Sequence, residues 1–276
     1  MDKEKLYTIG EVSRLCNISA KTLRFYDKIG MIVPDKVSES GYRYYSADTI
    51  LNIPVVKYYK QMGFKLEEMQ QLVNGDDFQE VQTSCKEKID ELWRQVREIQ
   101  DSYVSVKDWY ELLQEAKAVR YNRNQEVSVR YIPGKTMCCL EQDFSYEYAD
   151  SVINIPWVNY LDEIENEITG PVILGFSSWK EKMEGKSTRA TIMQFPVHAL
   201  KRGSNQTEYG GCMAVTLYHV GSHETMGESY RKMEQWMQEH EIRSADRCYE
   251  RYVVDYWTTR NPNAFVTELI IPMEQD

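Results

Sequence analysis

The stretch Thr8-Ile9-Gly10-Glu11-Val12-Ser13-Arg14-Leu15-Cys16-Asn17-Ile18-Ser19-Ala20-Lys21-Thr22-Leu23-Arg24-Phe25-Tyr26 decides how the N-terminal part of this chain folds. Thr8 and Glu11 have the spacing of a capping box, in which each side chain satisfies the other residue's backbone N–H. Val12, Leu15 and Cys16 follow at helical spacing, and Asn17-Ile18 breaks the pattern. Ser19 then caps a second helix that runs to about Ile29, with Gly30 suited to its C-terminal turn and Pro34 preventing continuation. Two short helices with a tight break predict a helix-turn-helix. Val33 to Tyr45, with Gly41 at a polar tip, reads as a β-hairpin wing. Ser46 and Asp48 open a third helix toward Met62-Gly63, which Pro54 is expected to kink or shorten. A fourth starts at Lys65 and ends by Asn74-Gly75.

Beyond this point the pattern changes. Residues 77–119 contain no Gly or Pro. Phe78, Cys85, Leu92, Ile99, Val106 and Leu113 form one seven-residue series, and Ile89, Val96, Tyr103 and Tyr110 interleave with it. That is an a/d seam along one helix. A helix of roughly 40 residues spans about 60 Å and cannot bury such a stripe alone. Its narrowness and charged flanks favour a coiled-coil dimer over a helix packed on its own domain. From about Asn124 the period becomes two. Strand-like runs occur at Val127–Ile132, Met137–Glu141, Val172–Ser177, Ala190–Phe195, Met213–Tyr218, Glu250–Tyr256 and Val266–Ile271, with helical patterns near Ser145–Ile168 and Glu224–His240. Pro133-Gly134 and Val220-Gly221 each read as closing a strand ahead of a helix, which suggests a duplication with a period near 87 residues.

The net charge of −10 argues against nucleic acid at first sight, but it is unevenly spread. Residues 1–75 hold 11 Lys and Arg against 9 Asp and Glu, whereas residues 76–276 hold 22 against 34. Only the first segment can approach phosphates favourably, by local clustering. No apolar run reaches about eighteen residues, so no membrane span is expected. The charged start Met1-Asp2-Lys3-Glu4-Lys5 is unlike a secretory signal. Six cysteines without a CxxC read as reduced thiols of a cytoplasmic protein.

Thr22-Leu-Arg-Phe-Tyr26, then Gly30 and Pro34, Gly41-Tyr-Arg-Tyr-Tyr45 and Met62-Gly-Phe-Lys-Leu-Glu-Glu-Met69 resemble the MerR family of transcription regulators in order and spacing. The following helix is similar to that family's antiparallel dimerisation coil. Tyr218-His-Val-Gly-Ser222, Tyr230-Arg-Lys-Met-Glu-Gln-Trp236, Tyr249-Glu-Arg-Tyr252 and Thr267-Glu-Leu-Ile-Ile-Pro272 resemble the GyrI-like ligand-binding domain of multidrug-responsive members. The implied fold class is an α+β multidomain chain. It comprises a winged helix-turn-helix DNA-binding domain (1–75), a dimerisation coiled-coil helix (76–120) and an α+β effector-binding domain of two β-α-β-β units (121–276). The implied function is a DNA-binding regulator sensing a small organic, lipophilic and cationic effector, acting by promoter distortion. The implied partners are double-stranded promoter DNA, RNA polymerase and a second copy of the chain, with no membrane and no cofactor.

The candidate DNA contacts follow from physical roles. Arg24 on the second helix can reach a base edge or phosphate, and Lys21 and Thr22 lie at that helix's N-terminal end. Lys36 and Arg43 on the wing can hold flanking backbone. Tyr26 and Tyr42 can donate to phosphate or pack in the core. Phe25 stands where the family usually has tyrosine, so packing against sugar or the wing replaces a phosphate bond. If Pro54 bends the third helix, Lys57 and Lys60 face differently from the family norm. In the sensor, Glu250 sits inside a strand, where Glu is depleted, with Tyr252, Val254 and Tyr256 on the same face by alternation. It matches the acidic pocket residue of multidrug-sensing relatives, and Phe265 matches a pocket aromatic. Tyr146, Trp157, Tyr160 and Trp179 are further candidates. A carboxylate among aromatic faces suits a lipophilic cation. The alternative is a strand-edge Glu in water or paired with Arg251 or Arg247.

Two other classes are weighed. A metal- or redox-sensing regulator needs a cysteine or histidine cluster, yet residues 112–124 hold neither, and Cys138-Cys139 point to opposite strand faces. A ligand hydrolase needs a nucleophile beside a base. His198, His219 and His223 stand beside no obvious pair and read as surface or turn residues, so the chain is expected not to be an enzyme.

Overall fold

The structure is a computed structural model that describes residues 5–75, 77–122, 125–152 and 154–274. The charged start at residues 1–4 and the expected change of period at Asn124 lie outside the described residues. The chain divides into two compact units, residues 1–98 and 99–276.

In the first unit, β1 (Tyr7–Thr8) leads into α1 (Ile9–Leu15) and α2 (Ala20–Lys28). The capping box forms: the Thr8 amide donates to Glu11 Oε2 at 2.8 Å, and the Glu11 amide donates to Thr8 Oγ1 at 3.3 Å. Ser19 caps α2 by accepting from the Thr22 amide at 3.0 Å. The wing is β2 (Lys36–Val37) and β3 (Arg43–Tyr45), turned through Gly41 at φ +78°, a left-handed conformation natural to glycine. β1 pairs with β3, so the small sheet has the order β1-β3-β2.

Next come α3 (Ala47–Gln61) and α4 (Leu66–Asn74). Pro54 does not shorten α3, which continues to Gln61. Ile50, Ile53 and Val56 are buried at helical spacing on either side of the proline, and this packing holds the helix through the lost hydrogen bond. Lys57 is drawn to the end of α1, where its ammonium donates to the Cys16 and Asn17 carbonyls. Those are carbonyls that a helix terminus leaves without intrahelical partners.

Val12, Leu23, Tyr45 and Ile53 are fully buried in this unit's core. Leu23→Ala should therefore cost about 2–5 kcal/mol, seen as a lower denaturant midpoint for the N-terminal unit. An unchanged midpoint would mean that α2 does not depend on this core.

The long helix α5 (Phe78–Asn122) has 45 residues. Its seam residues Phe78, Ile89, Leu92, Val96, Ile99, Tyr103, Val106, Tyr110 and Leu113 are exposed within a single chain, and Cys85 is partly buried.

The second unit adds β4 (Ser128–Ile132), β5 (Lys135–Asp143), α6 (Tyr148–Val152), α7 (Ile155–Glu163), β6 (Ile168–Phe176), α8 (Trp179–Met183) and β7 (Arg189–Pro196). It continues with β8 (Gln206–Tyr209), β9 (Cys212–Val220), α9 (Met226–Glu239), β10 (Cys248–Val254) and β11 (Val266–Pro272). An eight-stranded antiparallel sheet has the order β4-β9-β11-β10-β6-β7-β5-β8. Two β-α-β-β units are visible, β5 to β7 and β9 to β11, meeting at the central β10–β6 pair.

The duplication is real but its period is not 87. Pro133-Gly134 joins β4 to β5 rather than preceding a helix, and its counterpart is Gly210-Gly211 between β8 and β9, 77 residues on. Each leading strand crosses to the other half, β4 onto β9 and β8 onto β5. The crossing is tight: Gly210 sits at φ +75°, and a Cβ there would collide with the Pro133 carbonyl oxygen. The single helical pattern expected at Ser145–Ile168 is two helices, with Asn154 capping α7 by accepting from the Trp157 amide at 2.8 Å.

Candidate functional site

The DNA-facing candidates sort by exposure. Lys21, Arg24 and Lys36 are exposed, as are Phe25 and Tyr42. Thr22 is partly buried and tied to Ser19, with its hydroxyl 2.7 Å from Ser19 Oγ. Tyr26 is buried in the core, which favours the packing alternative of its two readings, and burial raises its phenol. Arg43 already has a partner. Its Nε donates to Asp27 Oδ2 at 2.7 Å, joining wing to α2. Lys28, in the last turn of α2, is a further exposed cation on this helix that sequence reasoning passed over.

In the second unit Glu250 lies on the central strand β10, between Leu269 of β11 and Leu174 of β6, with no exposed surface. Neither Arg251 nor Arg247 is its partner. Lys182 of α8 places its ammonium 2.9 Å from Glu250 Oε1, and it also donates to Tyr148 Oη at 2.7 Å. Tyr230 donates to Glu250 Oε1 at 3.0 Å and Tyr252 to Oε2 at 2.7 Å. Burial, reinforced by the Glu250 charge, raises the Tyr148 and Tyr252 phenols, and Tyr230 is raised by burial together with Cys248 and Glu250, so all three stay protonated. The Lys182 ammonium lies 4.8–5.2 Å from the ring centroids of Phe144, Tyr146, Tyr148 and Phe176, and 5.9 Å from that of Tyr230. An acid thus stands in an aromatic chamber, and a lysine of the chain itself stands there with it.

Of the candidate residues, Tyr146 and Tyr252 belong to this chamber. Phe265 is one ring further out, stacked on His223 at 4.8 Å, and His223 in turn lies 5.2 Å from Tyr252. Trp157 is buried nearby and donates to Gln194 Oε1 at 2.8 Å. Tyr160 is elsewhere, accepting from the Asn205 amide at 2.6 Å, and Trp179 is buried on α8 outside the cage, its amide donating to the Asp246 carbonyl at 2.7 Å. Val254 does not share the Glu250 face. A bulge between Tyr252 and Val254 shifts the register, so Val253 and Val254 pack with Ala116 and Val119 of α5.

The histidines also differ from expectation. His219 and His223 are buried, not superficial. His219 bonds Ser229 Oγ through Nδ1 and the Ser222 carbonyl through Nε2, both at 2.9 Å, and burial lowers its basicity. His223 has neither ring nitrogen bonded, and burial drives it down to about 3, so it is neutral.

A cleft of about 240 Å³ opens beside the chamber, with Tyr252 in its wall. Trp109, Leu112, Trp157, Val172 and Trp257 supply apolar surface, and Asp255 supplies one buried carboxylate. A wider opening of about 700 Å³ on the other sheet face is walled by charged groups already paired with one another, including Glu115, Arg251 and Glu268. It offers less to an apolar ligand.

Residues 125–274, more than half of the chain, match the GyrI-like small molecule binding domain, residues 7–76 match the MerR HTH family regulatory protein, and residues 53–108 match MerR, DNA binding. The chain belongs to the MerR-type regulators that carry a GyrI-like domain. Such a protein is a ligand-responsive, DNA-binding transcription regulator. This MerR-type chain is 24% identical over 267 residues to the multidrug-efflux transporter 2 regulator of Bacillus subtilis (strain 168), covering 92% of this chain and 91% of that protein. It is 46% identical over 68 residues to the multidrug-efflux transporter 1 regulator of the same organism, 24% of each chain. Among solved structures it is similar to EcmrR in an EcmrR–DNA complex, with a TM-score of 0.46 and 20% identity over 98% of this chain and 100% of that one.

Asp255 yields a test of the cleft. Burial raises its carboxyl from 3.8 to about 6. The folded chain thus holds the proton more tightly than the unfolded chain. The stability this contributes is complete below the unfolded value and is lost as pH rises through about 6. Asp255→Asn keeps an acceptor for the Trp257 amide, which donates to Oδ1 at 2.9 Å. The variant should stabilise the fold by up to about 3 kcal/mol at pH 7.5 and hardly at all at pH 4. Equal melting shifts at both pH values would show that Asp255 is not desolvated.

Proposed function

We propose that this regulator acts as a cytoplasmic homodimer on a pseudo-palindromic promoter element, and that a small organic effector in the Glu250 chamber and its adjoining cleft changes how the dimer holds DNA for RNA polymerase. The observation that carries the sensing half is the wholly buried carboxylate ringed by aromatic side chains beside an apolar cleft. The expected effector is an aromatic, lipophilic cation. Its charge answers Glu250, and Asp255 adds a second carboxylate at the cleft. The exposed stripe from Phe78 to Leu113 supports the dimer, since an apolar seam of this length is stable only against another helix. Distortion of promoter DNA costs of order 1–10 kcal/mol, which the effector supplies only by binding the distorting state more tightly.

Arg251, the neighbour of Glu250 along β10, supports a route out of the sensor. Its guanidinium makes two bonds to Glu115 of α5, at 2.7 and 2.6 Å, and one to Glu268 at 2.8 Å. Strand alternation puts the effector carboxylate on one face and the grip on the long helix on the other. The sensor is read as non-catalytic. The Ser229–His219 bond is a feature that favours ligand hydrolysis, but neither cleft described above includes either residue. Mass spectrometry of the effector after incubation with the full chain should recover it intact.

Two variants separate the functions. Arg24→Ala should weaken operator binding by about 1–3 kcal/mol with and without effector, measured by fluorescence anisotropy. Arg251→Met should keep both effector affinity and operator affinity while reducing transcriptional induction. Full induction in Arg251→Met would refute this route.

A further inference from the structure

We propose that the Lys182 ammonium is a resident cation, carried by the chain itself, and that an effector binds by displacing it from Glu250 and releasing α8. This rests on the reading that the effector site lies at Glu250.

The argument begins with charge. The chamber contains one carboxylate, and Lys182 neutralises it at 2.9 Å with both side chains buried. A second cation entering beside Lys182 would find no counter-charge and would meet a like charge in a medium of low polarity. The other titratable groups around it are the three protonated tyrosines, the Cys248 thiol, pushed up to about 12 by burial, and the neutral imidazole of His223. None of them can take over the role of counter-ion, and the second carboxylate, Asp255, lies in the wall of the adjoining cleft and makes no ion pair with Lys182.

The surroundings of the ammonium have the form of a binding site. Five aromatic rings stand within 5.9 Å of Nζ, the arrangement by which proteins hold ammonium ligands. The lysine is also carried on a removable element. α8 has only five residues, too few to be stable by itself. Besides the lysine it is held by the Tyr146 hydroxyl, which donates to the Lys182 carbonyl at 3.2 Å, by the Trp179 amide, and by the packing of Trp179 and Met183 on the core, all of which must give way for it to move. The chain leaves it through Gly185 at φ +75°.

A second observation points to a guest. His223 is buried with both nitrogens unbonded, and its ring lies 4.9 Å from Tyr148 and 5.2 Å from Tyr252, two of the rings nearest the Glu250–Lys182 pair. Buried polar atoms are nearly always hydrogen-bonded. An unbonded imidazole among these rings is a polar group that the fold itself leaves available beside the pair. The single carboxylate and the aromatic rings around it favour organic monocations.

The experiment titrates the full-length chain with benzyltrimethylammonium by calorimetry. Lys182→Met removes the resident cation at nearly constant shape and should bind the probe at least about tenfold more tightly than the unsubstituted chain. Glu250→Gln should bind it more weakly. If Lys182→Met binds with the same or lower affinity while Glu250→Gln still loses binding, the displacement proposal is overturned and the effector site at Glu250 stands. If neither the unsubstituted chain nor Lys182→Met binds, both are overturned. A second measurement needs no variant. Reductive methylation followed by peptide mass spectrometry should find Lys182 protected in the free protein and modified when the probe is saturating. Protection that persists at saturation overturns displacement even if Lys182→Met fails to fold.

Discussion

A carboxylate on the middle strand of an eight-stranded sheet, with no exposed surface, is the constraint around which the sensor is arranged. An ionised group at that depth is tolerable only with close partners, and removing one partner of such a pair costs about 3–5 kcal/mol. Glu250 recruits partners from three elements: Lys182 from α8, Tyr230 from α9 and Tyr252 from its own strand. Helices that would otherwise only cover the sheet are thereby tied to one point. The aromatic side chains do two things at once. They fill the core between sheet and helices, and they face a positive charge with their electron-rich surfaces.

The residue after Glu250 extends the arrangement. Arg251 points to the opposite face and holds Glu115 of α5, which also accepts from the Tyr218 hydroxyl at 2.8 Å. A change of charge at Glu250 and a change in grip on the long helix are thus separated by one peptide unit. The same logic of doubly used contacts holds in the DNA-binding unit, where Asp27 of α2 fixes Arg43 of the wing while Arg24 and Lys28 of α2 remain exposed.

Much of this was legible in the sequence, for reasons that are local. Thr8, Glu11 and Ser19 announce helix starts because capping depends on residues three positions apart. The α5 seam follows from its seven-residue apolar series, and the strands of the second unit from alternation. What the sequence concealed depends on contacts between distant segments. Pro54 sits inside α3 because tertiary packing outweighs its intrinsic cost. The parity of Val254 fails at a bulge that no alternation rule foresees. The period of 87 paired the wrong turns, since Pro133-Gly134 and Gly210-Gly211 share a strand crossing rather than a residue pattern. Glu250 stood out as an acid in a strand, but Lys182 lies 68 positions earlier, on a helix too short to leave a periodic trace. His223 looked like a turn residue because it follows Gly221, and only the ring stacking of Phe265 reveals that it is interior.

The claim at the centre of this account is that occupancy of the Glu250 chamber alters the DNA held by the dimer. Energy transfer between dyes at the two ends of an operator duplex, measured with the full-length protein bound and a lipophilic aromatic monocation added to saturation, reads that coupling directly. The account predicts a change in end-to-end distance on effector addition that is absent in Glu250→Gln. An end-to-end distance that stays constant while the effector demonstrably binds would contradict it.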